Sequence, residues 1–273
     1  MSNTIDFGHL GQTISYEITQ RDPNLLTPIP RSMARQSLPK ALFSSLKGQD
    51  IWTLYEISWL DQQGKPNVGV IRLAIPCHSP NLVESKSLKL YCNSLNQTQF
   101  ASRTLACQTI QNDLESVLEA PITLTYHPIT PTTASIWPQD MRLLDDQAIT
   151  CHQYNYDPTL LIQTTNTVHE RVMTHLFRSN CPVTGQPDWA TLCIDYHGQG
   201  FDHAALLRYL VSFRTHQDLH EHCVEQIYCD LMTHGDITAL SVQAFFTRRG
   251  GIDIHPYRSN HNENPFDFSS NRL

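Results

Sequence analysis

The stretch Asn180-Cys181-Pro182-Val183-Thr184-Gly185-Gln186-Pro187-Asp188-Trp189 sets a cysteine and a carboxylate seven residues apart. A cysteine thiolate is the strongest nucleophile among the side chains, and a nearby carboxylic acid can supply the proton that addition to an electrophile consumes. Two prolines and a glycine lie between the two and predict a rigid turn. The turn is expected to join a helix-like segment before it to a strand-like one after it. The same residues also read as a small apolar thiol packed beside a proline, the commoner use of an isolated Cys. Partners elsewhere in the chain must decide between the two.

Three other stretches carry chemistry. Glu84-Ser85-Lys86-Ser87-Leu88-Lys89 stands at an expected helix start. There a carboxylate and a serine serve as ordinary caps, or the free backbone N–H groups take an anion while Glu84 accepts from a purine-like ring. His220-Glu221-His222-Cys223 resembles a metal set in composition, but His220 and His222 are two apart on a helix and point in different directions. Glu221 as a recognition carboxylate with His220 as its hydrogen-bonding partner, or a plain polar helix face, fits that spacing better than zinc. Arg248-Arg249-Gly250-Gly251 and Pro256-Tyr257-Arg258 form an arginine-rich region with glycines, suited to a nucleotide phosphate or to a solvated turn. Neither GxGxxG nor GxxxxGK[ST] occurs, so a dinucleotide would have to bind outside those two frameworks.

The elements that must position these residues follow from periodicity. Asp50–Leu60 and Val68–Ile75 read as a strand pair around the turn Asp61–Asn67, followed by a loop from Pro76 to Asn81. The stretch from Ser87 to Leu118 reads as two helices broken near 97–101, and Ile122–Tyr126 as a strand. The Pro- and Thr-rich segment 128–157 reads as a connection. Beyond it, Thr191–Tyr196 is strand-like, Ala204–Phe213 and Leu219–Met232 are helical, and Ser241–Arg248 is a strand ending in a turn at Gly250-Gly251. Sliding one half over the other brings Tyr91 onto Tyr209 and Ser94 onto Ser212. After one gap, Ile110, Asp113 and Leu114 fall on Ile227, Asp230 and Leu231. The shared order points to a duplicated ββααββ-like unit. The divisions expected are an arm over 1–45, a first unit over 46–150 and a second over 151–273.

Composition sets the class. The 273 residues are 40% hydrophobic and 16% charged with a net charge of -7, which describes a globular chain and disfavours an extended nucleic-acid surface. No cationic stretch followed by an apolar core opens the sequence, and the apolar run 204–213 is too short to span a bilayer. The eight cysteines are therefore expected as reduced thiols in the cytoplasm, with neither membrane nor direct nucleic acid as partner.

The Glu84–Lys89 run, Phe177 to Trp189, His220-Glu221 and Arg249-Gly250-Gly251, in this order, together resemble the NADPH-dependent 7-cyano-7-deazaguanine reductases, nitrile reductases of queuosine biosynthesis, in their two-module form. The resemblance implies an α+β class with tandem tunnelling-fold (T-fold) units, antiparallel sheets with paired helices, assembled as a homodimer or higher oligomer. It makes Cys181 the nucleophile that forms a thioimide and Asp188 the proton donor. It gives Val83, Glu84, Ser85, His220 and Glu221 to the deazaguanine and Ser85, Lys86, Arg249 and Gly250 to NADPH. Two NADPH are used per turnover and no metal is expected. Asp188 must then hold a proton near neutral pH, and the imine on the route must be shielded from water. His222 receives no role, and Cys223 is a candidate disulfide partner for Cys181. The rival readings are a metal-using tunnelling-fold relative of the cyclohydrolases, a hydrolytic cysteine enzyme and a non-catalytic purine-binding protein.

Overall fold

The structure, a computed structural model, describes residues 20–130, 140–262, 264–270 and 273. The first nineteen residues of the expected arm, and 131–139 of the expected connection, lie outside the described residues. The class is α+β with antiparallel sheets, in two compact units. Among the described residues, 20–36, 51–130 and 248–253 form the first unit; 37–50, 140–247 and those from 254 onward form the second. Among the described residues no helix is long and apolar enough to cross a membrane.

In the first unit the chain runs through β1 (Pro28–Pro30), a short helix α1 (Arg31–Ala34), β2 (Lys47–Leu60, its first residues in the second unit), β3 (Pro66–Pro76), β4 (Asn81–Val83), α2 (Ser85–Ser94), α3 (Arg103–Leu118) and β5 (Thr123–His127). The strand order is β5-β3-β2, with β3 and β5 antiparallel in the register Ile71↔Tyr126 and Leu73↔Leu124. Ile71, Leu73 and Ile75 alternate inward along β3 while Arg72 faces out, the period-two pattern of a half-buried strand. Leu88, Tyr91, Ile110, Leu114 and Leu118 are fully buried along α2 and α3, each apolar side chain contributing about 1.5–3 kcal/mol. The break between these helices falls where expected, and Ser102 caps α3 by accepting from the Leu105 N–H at 3.2 Å. β1 pairs antiparallel with β4, which ties the described part of the expected arm to the segment leading into α2.

The second unit holds β6 (Arg142–Leu143), β7 (Gln163–Asn180), β8 (Pro187–Phe201), α4 (His203–Ser212), α5 (His220–His234), β9 (Ile237–Phe246) and most of β10 (Ile252–Ser259), in the order β10-β9-β8-β7-β6. The segment before Cys181, expected to be helix-like, is instead the 18-residue strand β7. Two register irregularities, between Gln163 and Thr167 and between Thr174 and Phe177, break its alternation and conceal a strand rich in Thr and Val. Leu206, Leu210, Val224, Ile227 and Leu231 of the helices pack with Leu192, Ile194, Val242 and Ala244 of the sheet in one core. A smaller cluster gathers Met141, Met173, Cys193, Phe245 and Phe268.

Arg258, grouped above with the phosphate candidates, has another role. It is fully buried, bonds Asp50 at 2.7 Å through Nη1, and holds Glu225 at 3.0 and 2.8 Å through Nε and Nη2. A buried guanidinium with two carboxylates is structural, and loss of one partner typically costs about 3–5 kcal/mol.

The residue pairs matched between the halves do the same work in each unit. In the first, the Asp22 N–H donates to Ser94 Oγ, Ser94 donates to the Tyr91 carbonyl, and Tyr91 donates to buried Asp113 at 2.5 Å. In the second, Asp157, Ser212, Tyr209 and Asp230 make the same three bonds, again ending at 2.5 Å. Asp22 and Asp157 each also cap a 3-10 turn that begins with proline.

Candidate active site

Cys181 and Asp188 stand at the mouth of the β7–β8 hairpin. The register ends with Ser179 opposite Asp188 and Asn180 opposite Pro187, and the intervening residues turn back on themselves. The Cys181 N–H donates to the Gln186 carbonyl at 2.9 Å and the Gly185 N–H to the Cys181 carbonyl at 3.0 Å. Gly185 has φ +67°, a left-handed conformation that a side chain would disfavour. The seven-residue interval thus becomes a diagonal across the hairpin end, with Cys181 bonded to Gln186 and Asp188 opposite Ser179, and both residues are buried.

Helix α5 brings His220 and Glu221 to the same place. His220 Nε2 lies 3.4 Å from Asp188 Oδ2, and its ring stacks on Phe246 with centroids 3.9 Å apart and planes 13° apart. Phe246 lies on β9 opposite Ala190 of β8, so the sheet fixes the ring that fixes the imidazole. Glu221 is buried in the first turn of α5, where the helix dipole favours a negative charge. Cys223, one turn in, is fully buried. Burial, with the charges of Asp218, Asp188 and Glu221, pushes its thiol well above the usual range, although a hydrogen bond with Ser179 pulls the other way. The eight cysteines are all free thiols. His220 and His222 turn to different carboxylates, Asp188 and Asp218. Among the described residues no group of three or more His, Cys, Asp or Glu could hold a metal.

The first unit holds the other candidates. Val83 ends β4, and Glu84 is the N-cap of α2, accepting from the Lys86 N–H at 2.9 Å and the Ser87 N–H at 2.7 Å. The cap is itself anchored: the Glu84 N–H donates to the Thr27 carbonyl and the Thr27 N–H to Ser87 Oγ. Glu84 therefore performs the capping role foreseen as its alternative, with Ser85 and Lys86 on the first turn that it fixes. One turn further on, Lys89 reaches the Arg249–Gly251 turn. A Cβ at Gly250 (φ +58°) would lie 2.3 Å from its Nζ, and one at Gly251 (φ +76°) 2.4 Å from Cδ of Glu56. Leu54, Glu56, Lys89, Asn93, Gly250 and Gly251 line a pocket of about 70 Å³ here. Burial and the neighbouring Arg249 charge lower the Lys89 pKa. The two glycines leave room for the Lys89 and Glu56 side chains to pack against the turn.

The structure thus joins Cys181, Asp188, His220 and Glu221 in the second unit, and joins Glu84, Ser85 and Lys86 through Lys89 to Gly250 in the first. Sequence reasoning missed Phe246, Ser179 and Asp218, whose proximity arises only from strand pairing and helix placement. Lys89 and Glu56 carried a signal in type alone.

Residues 16–126 match the family model described as nitrile reductase, 7-cyano-7-deazaguanine-reductase N-term, and residues 187–265 match that of QueF-like protein. The NADPH-dependent 7-cyano-7-deazaguanine reductase of Dechloromonas aromatica is 44% identical over 253 residues, covering 92% of this chain and 89% of that protein. Those of Bordetella pertussis and Hahella chejuensis are 44% and 43% identical over 260 and 257 residues, covering 94% and 93% of both partners in each pair. With a buried cysteine, a carboxylate and an imidazole at one hairpin mouth and full-length relatives of this kind, the chain belongs to the NADPH-dependent 7-cyano-7-deazaguanine reductase family.

Proposed function

We propose that this chain reduces the nitrile of 7-cyano-7-deazaguanine to the primary amine through a thioimide on Cys181. The observation that carries the reading is the hairpin mouth, where Cys181 follows two residues after Ser179, the partner of Asp188, and His220 stands against the acid at 3.4 Å. Cys181 Sγ bonds to the nitrile carbon, and Asp188 delivers a proton to the nitrogen. NADPH supplies hydride to the same carbon, twice per turnover. After the first reduction the C–S bond breaks, the electron pair leaving with sulfur, and an imine remains. Over the cycle the nitrile gains two hydrides and two protons. His220 stays stacked on Phe246 and orients the Asp188 carboxyl, while burial of the site keeps water from the imine, whose hydrolysis would give an aldehyde. His220 and Glu221, with Val83, Glu84 and Ser85, are assigned to the deazaguanine; Ser85, Lys86, Arg249 and Gly250 are assigned to NADPH. The paired Tyr–Asp and Ser–Tyr bonds of the two units support a tandem tunnelling-fold duplication.

The test is to mix protein, 7-cyano-7-deazaguanine and NADPH and follow the nicotinamide absorbance. Loss of absorbance that requires the nitrile, with the amine as product, is expected. Repeated turnover of nitrile without NADPH, beyond one equivalent per protein, would indicate hydrolysis instead, and activity lost to a chelator would indicate a metal enzyme. Glu221→Ala is expected to weaken binding of the nitrile by about 10- to 100-fold, as for a lost hydrogen bond to a charged group, while NADPH binding changes little. Separate titrations of the two ligands measure this, and the reverse order would mean that the pockets are exchanged.

A further inference from the structure

His222 has no place in the chemistry above, yet it is buried directly after Glu221 in the chain and bonds through Nδ1 to Asp218 Oδ2. Asp218 also accepts the Leu219 N–H at 2.8 Å through Oδ1, and His216 Nε2 stands 3.5 Å from Oδ2. Helix α5 begins after Leu219, whose side chain cannot cap it. Asp218 thus ties the first turn of the helix to the loop before it.

That loop is bound to the residue preceding Cys181. The Asn180 N–H donates to the His216 carbonyl at 2.8 Å, and the Asp218 N–H donates to the Asn180 carbonyl at 3.1 Å. Asn180 Nδ2 donates to the Arg214 carbonyl at 3.0 Å, and Arg178 donates to Asn180 Oδ1 at 3.0 Å. Asp218 therefore joins the strand end that holds the nucleophile, through its backbone N–H and its contact with His216, to the helix that holds His220 and Glu221, through its carboxylate. It also separates the imidazoles. Asp218 takes His222 and His216, leaving His220 for Asp188. Although burial acts to raise the Asp218 pKa, hydrogen bonds from His216 and His222 hold it down at about 2, so the clamp keeps its charge across the working range.

Resting on the function proposed above, we propose that Asp218, acting with His222, is a positioning residue that sets His220 and Asp188 against Cys181. It touches no reacting atom in this scheme. Its contribution is to the alignment of groups that must meet within a few tenths of an ångström, where a displacement of about 1 Å can cost on the order of 10²-fold in rate.

The experiment is stopped-flow formation of the covalent adduct with 7-cyano-7-deazaguanine, read separately as rate constant and amplitude. The proteins are wild type, Asp218→Ala, Asp218→Asn, His222→Phe and His222→Asn. Asp218→Ala and His222→Phe are expected to lower the rate constant by roughly 10- to 100-fold, with NADPH affinity unchanged within about twofold. His222→Asn, whose amide nitrogen can donate from near the Nδ1 position, is expected to recover most of that rate, and Asp218→Asn to fall between. A merely structural role would reduce the amplitude with the folded fraction and leave the rate constant of the survivors at the wild-type value; that result overturns the proposal. If Asp218→Ala does not fold, a wild-type rate constant in His222→Phe overturns it equally. Absence of adduct in wild type removes both the proposal and the thioimide reading, whereas normal wild-type adduct with unaffected variants removes the proposal alone.

Discussion

Cys181→Ala is expected to form no covalent adduct with the nitrile and to lose nitrile-dependent NADPH oxidation by roughly three orders of magnitude or more, as for a deleted nucleophile. The large effect is expected because no neighbouring thiol can take over. Cys223 is fully buried, with its thiol held well above the usual range by burial and the surrounding carboxylates. Burial likewise pushes Cys92 and Cys193 up to about 12. At neutral pH these thiols stay protonated and are poor nucleophiles. Deleting Sγ leaves the hydrogen bonds of the Cys181 backbone in place, so the hairpin should persist and the nitrile should still bind. Intact-protein mass spectrometry and steady-state absorbance measure the two losses. An adduct of undiminished yield in the variant would assign the nucleophile elsewhere.

Asp188→Asn is expected to slow adduct formation by roughly two orders of magnitude or more, the range for a lost general acid. Asparagine fills the same volume opposite Ser179 and can still meet His220, so the effect isolates the proton rather than the packing. Without a proton delivered to nitrogen, sulfur addition would leave an unstabilised anion and reverse. Single-turnover kinetics over a range of pH checks this, and a rate near that of wild type would assign the proton to another group, with His220 the first candidate.

Part of this was legible in the sequence because it was local. The β2–β3 hairpin, the break between α2 and α3, and the helices α4 and α5 each followed from periodicity and caps within a few residues. The matched Tyr91/Tyr209 and Asp113/Asp230 pairs were visible as identities, and the structure gives them a shared hydrogen bond. β7 escaped because its irregular register breaks the alternation by which a strand is recognised. Arg258 escaped because an arginine in an arginine-rich region reads the same whether it faces a phosphate or is buried between Asp50 and Glu225. The chemical types at Cys181, Asp188, His220 and Glu221 were plain. The stacking of His220 on Phe246 and the Asp218 clamp were not, since each joins residues brought together only by strand pairing or loop placement.

The most direct test is to mix wild-type protein with 7-cyano-7-deazaguanine in the absence of NADPH, measure the intact mass, and map the modified peptide. A mass increase equal to one nitrile molecule, located on Cys181 and discharged when NADPH is added, is the predicted result. An unchanged mass under saturating nitrile, or an adduct on a different cysteine, would contradict the account.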